Sequence, residues 1–539
     1  MRERVSVRRI VPAISAPVFL LVFLLVGCSE KPAVPVGTTP AVNANVTASK
    51  PSIEESRPQV AAFCGSCHVL PSPGDLPKLA WTEEIDKGYE RFFTSERTDL
   101  DVPPKQKVID YFTSLAPDKL QISTSLAGMG PGKVRFRRVS SELPSIDSSR
   151  RSPVVSHVNW CLLEPDSGPV LVFCDMDSGE IRLLPTKPGQ LQSQLLAKVL
   201  NPAHVAPCDL DADGLTDLVV ADLGSFLPED HDLGRVTWLK RTKGELAFDA
   251  ITIQEGLGRV ADVQPGDFDA DGATDLIVAE FGWLDTGRLL LLKNKGLIDG
   301  ELQFQAETLD NRHGAIHVPT ADLNGDGHLD FIAVFSQEHE SVVAFLNVGD
   351  GTFDQEEIFA ADSPSYGSSG IEVVDLDGDG DLDVIYTNGD TFDSFQIKPY
   401  HAIRWLENRG SFPFVHHELV AMPGVHRALA GDLDGDNDLD IVAVALLPKR
   451  LLSSHTAADF ASIIWLEQTG PGRFEPHTLE SATPYHASLE LGDFDADGDL
   501  DLAIPHFRGE RKARMPWMTI WWNLLNEEKN ATPSKGRSE

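Results

Sequence analysis

Two groups of residues in this 539-residue chain have the types and spacing to do chemistry. The first is the run "CGSCH", with Cys64, Cys67 and His68. Two thiols at this spacing can form thioethers with the vinyl groups of a haem, and the adjacent imidazole is then held beneath the iron as proximal ligand. A zinc site built on the same thiols needs a second ligand pair, and no other CxxC occurs in the chain. The second group is a set of six aspartate-rich segments. Their acidic positions are Asp209, Asp211, Asp213 and Asp217; Asp267, Asp269, Asp271 and Asp275; Asp322, Asn324, Asp326 and Asp330; Asp375, Asp377, Asp379 and Asp383; Asp432, Asp434, Asp436 and Asp440; and Asp493, Asp495, Asp497 and Asp501.

In the pattern D-x-D-x-D-G-x-x-D the side chains at positions 1, 3, 5 and 9 converge, the carbonyl at 7 points inward, and the glycine at 6 permits the sharp turn. Hard oxygen ligands in a flexible loop select Ca²⁺ over Zn²⁺, so the chain offers places for up to six Ca²⁺ ions. Asn324 still supplies an oxygen, and Asn437 stands where the other loops have glycine, a position that asparagine tolerates. These loops resemble FG-GAP/VCBS repeats, familiar from integrin α-chain propellers. The resemblance implies a Ca²⁺-braced β-propeller, with the ions structural rather than catalytic.

The elements that must position these loops follow from the pattern around them. The loops recur about 53–61 residues apart, a repeat signature. Each is followed by an apolar run such as "LVVAD" or "FIAVF", then a second such as "RVTWLK" or "SVVAFLN", then a polar-alternating third such as "GTFDQEEIF". With the strand before each loop, this makes four strands per repeat, one propeller blade. Residues 153–201 keep the rhythm without the aspartates and give a seventh, degenerate blade. The last repeat lacks its fourth strand, and "GKVRFRRVS", residues 132–140, is predicted to supply it and to close the ring. The fold class expected is multidomain: a small all-α domain over residues 53–120, then an all-β, seven-bladed propeller over residues 121–539.

The smaller domain reads as helices before and after the CxxCH hook. "TEEIDKGYERFF" is helical, and "PPKQKVIDYFTSLAP" carries Val108, Ile109, Phe112 and Leu115 at helical spacing before Pro117 stops it. The arrangement resembles a minimal class I cytochrome c. The resemblance implies covalent haem on Cys64 and Cys67 with His68 as axial ligand. It usually supplies a methionine as sixth ligand between the hook and the last helix, and none stands there; Met129, Tyr89 or no strong ligand remain as the alternatives.

Residues 1–28 form an export signal: Arg2, Arg4, Arg8 and Arg9, an apolar stretch too short for a spanning helix, and "LVGC" ending at Cys28. This ending resembles a bacterial lipobox, which implies a lipidated Cys28, a membrane anchor and a location in the periplasm or at the cell surface. Residues 29–52, rich in Pro, Ala and Thr, read as a flexible tether. The formal charge of −36 repels phosphate backbones and argues against nucleic-acid binding.

Propellers act at their central mouth. The residue five before each loop is His204, Asp262, His317, Gly370, Arg427 or Ser488, with His426 and His486 beside that column and His157 at the matching place in the degenerate blade. Imidazoles gathered at a mouth can hold a transition metal or a substrate; inter-blade hydrogen bonding is the other use for them. No nucleophile elbow, P-loop, dinucleotide fingerprint or HExxH stands in the chain, and no catalytic residue is assigned. Of Cys161, Cys174 and Cys208, one pair is placed to form a disulfide. The leading expectation is an extracytoplasmic, lipid-anchored electron-transfer protein whose cytochrome exchanges electrons with a partner protein and whose propeller is a docking platform. The alternatives are an oxidoreductase with a substrate or metal site at the mouth, and an adhesion or glycan-binding propeller.

Overall fold

The computed structural model describes residues 53–527 apart from 144–151, 166, 188, 243, 245, 393–394, 453–458 and 509–513. The expected export signal with Cys28 and the expected tether at 29–52 lie outside the described residues. No helix among the described residues is long and apolar enough to cross a membrane.

The β-region is a seven-bladed propeller of antiparallel blades. Blade two shows the plan: an innermost strand Pro202–Cys208, a second Asp217–Asp222, a third Gly234–Arg241 and an outermost Phe248–Leu257. Every residue of the second strands in blades two to six is buried. Neighbouring blades cover both of their faces, which is why those strands read as continuous apolar runs rather than as alternation. The outermost strands keep polar residues toward water. The degenerate first blade has all four strands, from Val155–Cys161 to Gln194–Lys198. In the seventh blade the outermost strand is Phe136–Ser140, from the N-terminal side of blade one; it pairs antiparallel with Met518–Asn523, Phe136 opposite Asn523 and Ser140 opposite Thr519. The first and last blades also meet through a bridge between Val154 and Phe507.

One device joins successive blades and was not read from the sequence. The third strands of blades four and seven end in Asn347 and Asn523, and that of blade three carries Asn294 at the matching place; all three are buried. Asn347 donates through Nδ2 to the carbonyls of Leu329 (3.1 Å) in its own blade and Phe268 (2.8 Å) in the preceding one, while its Oδ1 accepts from Gly349 (2.9 Å). Asn294 reaches back to Leu210 and Asn523 to Leu433 in the same way. Blade two has Arg241 there, and its guanidinium donates to the Leu163 carbonyl of the degenerate blade and to Glu164. The repeated asparagine is visible in "LLKN", "AFLN" and "WWN", but propensity gives a buried asparagine no meaning until a partner carbonyl is in view.

Three helices precede the propeller and belong with it to one compact unit, Ser52–Glu539. They are α1 (Ile53–Cys64), α2 (Trp81–Thr94) and α3 (Lys105–Leu115). On α2 the buried Trp81, Ile85 and Tyr89 recur every four residues, Glu83 and Glu84 sit in the first turn and Arg91 in the last, as the helix dipole favours. Helix α3 begins after Pro104 and stops at Leu115; Ala116, the residue before Pro117, is extended, since helical backbone is disfavoured there. The module has its own core, in which Trp81 stacks on Phe112 at 4.1 Å and Phe63 meets Tyr89 at 5.1 Å. Arg91 ties it to the propeller through Asp285 (2.8 Å) and the Leu284 carbonyl, and Asp75 accepts from Ser363 (2.8 Å). The expected disulfide does not form: Cys161, Cys174 and Cys208 are free, the first two packed as small apolar groups in the cluster between the first two blades and Cys208 against the cluster between blades two and three.

The asparagine lattice predicts that Asn347→Ala costs about 2–3 kcal/mol of stability, because two buried carbonyls and one amide lose their partner. Denaturant unfolding measures it; a change within about 0.5 kcal/mol contradicts a structural role for the lattice.

Candidate metal centres

The aspartate loops join the innermost strand to the second in blades two to seven. Their backbone is set at two positions. Position 6 is left-handed in all six, at Gly214, Gly272, Gly327, Gly380, Asn437 and Gly498. Position 4 is left-handed too, with glycine at 325, 378 and 435 but alanine at 212, 270 and 496. Alanine there is unfavourable by about 1–2 kcal/mol, so the rest of the loop must enforce the turn.

What enforces it is the pattern of carboxylates. The position-1 aspartate curls the loop around itself: Asp209 accepts from the amides of Asp213 (3.1 Å) and Gly214 (2.9 Å), and the other five loops repeat this. The position-9 aspartate is buried at the loop's root. Asp330 accepts from Leu323 (2.9 Å) and from the Asn347 amide (2.7 Å) on the third strand. Asp217 adds the indole of Trp238 at 2.8 Å. The position-3 aspartates differ. One oxygen each of Asp211, Asp269, Asp434 and Asp495 is buried with no hydrogen bond. In at least four loops three carboxylates bring one oxygen each within 4.8 Å of one another, as Asp209, Asp211 and Asp217 do.

Buried carboxylate oxygens aimed at other carboxylates repel unless a cation lies between them. The loops therefore fit a hard divalent ion: positions 1, 3, 5 and 9 would hold it, and the ion would supply charge neutralisation and a fixed turn. Lysines answer part of the same field, with Lys133 at 2.6 Å from Asp434, Lys240 against Asp211 and Lys295 at 3.9 Å from Asp269.

The hook lies at the C-terminal end of α1. Cys64 and Cys67 are free thiols, half-buried and exposed respectively. The His68 Nδ1 sits 2.8 Å from the Val69 carbonyl. A histidine that ligates a metal through one nitrogen commonly donates through the other to a carbonyl, so this contact leaves Nε2 as the donor atom for an iron. The residues therefore fit a covalently held haem: Cys64 and Cys67 would carry the thioethers, and His68 would be the proximal ligand. Of the two alternatives for the sixth position, Tyr89 is buried and its hydroxyl donates to the Pro103 carbonyl (2.7 Å). Met129 belongs to a segment packed along blade six, where Thr478 donates to the carbonyls of Leu126 and Gly130.

The mouth column converges, with a device the sequence does not display. In each of the first six blades the innermost strand bulges just before the column residue: between Val155 and His157, Pro202 and His204, Val260 and Asp262, Ala315 and His317, Ser368 and Gly370, and Val425 and Arg427. A bulge re-aims a side chain. The rings of His157 and His204 approach to 3.8 Å, and Asp262 lies 3.1 Å from His204 and 3.9 Å from His317. Burial first, then neighbouring positive charge from Arg427, lowers His317 to about 3, so this imidazole is neutral. Polar atoms at the mouth are spent on neighbouring blades. His317 contacts the Ser369 carbonyl (3.2 Å), Asp262 accepts from Val318 (2.9 Å), Arg427 donates to Ile371 (2.6 Å), and Glu490 accepts from Trp160 (3.3 Å). His426 and His486 are elsewhere: the first is the bulged residue and bonds the Ala487 carbonyl (2.9 Å), the second pairs with Glu480 (3.2 Å) and the Pro505 carbonyl.

A profile described as an FG-GAP-like repeat matches residues 209–278, 267–333 and 322–386, each match running from one aspartate loop through the next. The chain carries FG-GAP-like repeats. Among known proteins it is similar to protein linkin of Caenorhabditis elegans, with 22% identity over 276 residues; the match covers 48% of this chain and 44% of linkin, so the chain spans less than half of that relative. Among solved structures it is similar to the crystal structure of BBS1N in complex with ARL6DN, soaked with mercury, at 13% identity and a TM-score of 0.41, covering 72% of this chain and 97% of that one. The lead-soaked form of the same complex gives 12% identity and a TM-score of 0.39, covering 75% and 100%. The FG-GAP-like loops after residue 386, at Asp432 and Asp493, have the same hydrogen-bond pattern as the matched ones.

Without a cation, burial and neighbouring carboxylates raise Asp440 to about 7 and Asp501 to about 8. An acid whose pKa is higher folded than unfolded binds more protons in the native state, so stability falls as pH rises through that window. In a chelator the melting temperature should therefore fall between pH 7 and pH 8, above the range in which buried neutral histidines such as His317 add stability as pH rises. A flat or rising profile in differential scanning calorimetry contradicts the burial of these groups as carboxylates facing carboxylates.

Proposed function

We propose that this chain is an extracytoplasmic electron carrier in which a haem-bearing helical module is held on a Ca²⁺-braced propeller that serves as its docking platform. The observation that carries the reading is the hook: two free thiols, with an adjacent imidazole whose Nδ1 is engaged by a carbonyl, at the end of a helix in a self-contained aromatic core. Haem bound there would supply one-electron chemistry. The chain's own part is to orient and to shield. His68 presents Nε2. Phe63, on the same helix as Cys64, packs against Tyr89 and Phe92 and fixes that helix. Arg91 and Asp75 hold the module to loops of blades three and four.

In the same reading, the strand Phe136–Ser140 closes the ring by completing the last blade, which removes an open edge. Lipidated Cys28 tethers the assembly to a membrane. A partner protein is the electron donor or acceptor. Adhesion is the rival supported by the FG-GAP-like repeats; a mouth-centred oxidoreductase is the weaker one, since the channel side chains are largely engaged between blades.

Expression in a host that attaches haem should give a coloured protein with a reversible reduced-minus-oxidised spectrum, and the haem should stay with the chain after denaturation. Cys64→Ala with Cys67→Ala should abolish that retention. His68→Ala should keep the attachment but change the iron's spin state. A well-folded, colourless protein would sink the electron-transfer role and leave the adhesion reading in its place.

A further inference from the structure

We infer that His313, Glu338 and His339 form a binding site for a first-row divalent transition metal of the Zn²⁺ class, separate from the aspartate loops, the hook and the channel. His313 lies on the crossover from blade three's outermost strand, Glu301–Asp310, to blade four's innermost strand, Ala315–His317. Glu338 and His339 lie on the turn between blade four's second strand, Asp330–Phe335, and its third, Ser341–Asn347. In an up-and-down blade both connections fall at the end opposite the aspartate loops.

One donor atom from each of the three residues comes within 4.8 Å of the others. The His313 Nε2 is 3.0 Å from Glu338 Oε2, yet that nitrogen and the His339 Nε2 are both buried without a hydrogen bond. The two rings meet edge to face at 5.0 Å. A simple ion pair would use one imidazole and one carboxylate. It leaves a second buried imidazole nitrogen aimed at the same point with nothing to bind, and buried polar atoms of that kind need an explanation. Arg312 does not compete for Glu338, because its guanidinium is held by Asp310 at 2.7 Å.

The three donors are also held in place before any ion arrives. Gln337 and Glu340, on either side of the Glu338–His339 pair, are both left-handed. Non-glycine residues adopt that conformation in a turn when the surroundings over-determine it. Here Glu340 is buried and accepts from the amides of Gly367 and Ser368, both at 2.9 Å, while Ser336 donates to the Gly314 carbonyl and so ties the turn to the crossover. His313 packs on Gly287, where an added Cβ would come within 2.7 Å of its own. Two imidazoles and one carboxylate suit Zn²⁺, with a coordination position left for water or substrate, and discriminate against the Ca²⁺ that oxygen-only loops select.

The test titrates Zn²⁺ alone into the metal-stripped full chain, with Ca²⁺ in large excess, by isothermal titration calorimetry. The readout is the difference between wild type and variants. His313→Ala and His339→Ala should each weaken one binding event by about tenfold or more, and Glu338→Gln should weaken it as well. His417→Ala, which breaks an ordinary His–Glu pair (Glu407, 2.7 Å), should leave that event unchanged. Circular dichroism melts of each variant in chelator verify folding. Zn²⁺ isotherms that are the same in wild type and all three site variants, or no Zn²⁺ event in folded wild type, overturn the assignment.

Discussion

A carboxylate buried at the root of each aspartate loop is the constraint around which the propeller is organised. The position-9 aspartate begins the second strand, accepts from the loop's own second residue and accepts again from the third strand. It fixes the loop relative to two strands at once, and the residue that donates to it from the third strand is, in three blades, the asparagine that reaches back to the preceding blade. Loop geometry, intra-blade register and inter-blade contact therefore share one node. Several negative oxygens gathered at such a node raise the protonation midpoint of its members, and only opposite charge relieves them.

The two ends of the wheel are consequently different in kind. The aspartate loops occupy one end, a ring of carboxylates that favours hard cations. At the other end lie the crossovers and the second-to-third-strand turns, which receive the helical module through Asp285 and Ser363 and carry the paired imidazoles of His313 and His339. Between them, the bulged inner strands turn His157, His204, Asp262, His317 and Arg427 toward one another, where they join blade to blade.

Much of the architecture was legible because its signals are periodic. The aspartate loops, the continuous apolar second strands, the degenerate first blade and the displaced strand near residue 136 could all be read by phase. Features that depend on a partner brought from elsewhere could not. Asn347 is unremarkable in sequence, since its meaning is the Phe268 carbonyl 79 residues earlier. The left-handed alanines at 212, 270 and 496 run against propensity and are explained only by the loop that encloses them. A column offset marks the mouth histidines in the sequence. Which of them meet was decided by the bulges, which gathered 157, 204 and 317 and sent 426 and 486 to other partners. His313 and His339 stand on two different connections, and no local motif joins them.

The measurement that bears most directly on this account is thermal unfolding of the full chain as a function of free Ca²⁺. A native state that binds the ion, while the unfolded chain does not, gains about 2.7 kcal/mol per site at a hundredfold excess over the dissociation constant. The melting temperature should climb steadily with the logarithm of Ca²⁺ concentration, and calorimetric titration should approach six equivalents. Superimposable unfolding curves in chelator and in millimolar Ca²⁺ would contradict the account, because the clustered carboxylates would then be stable without a cation.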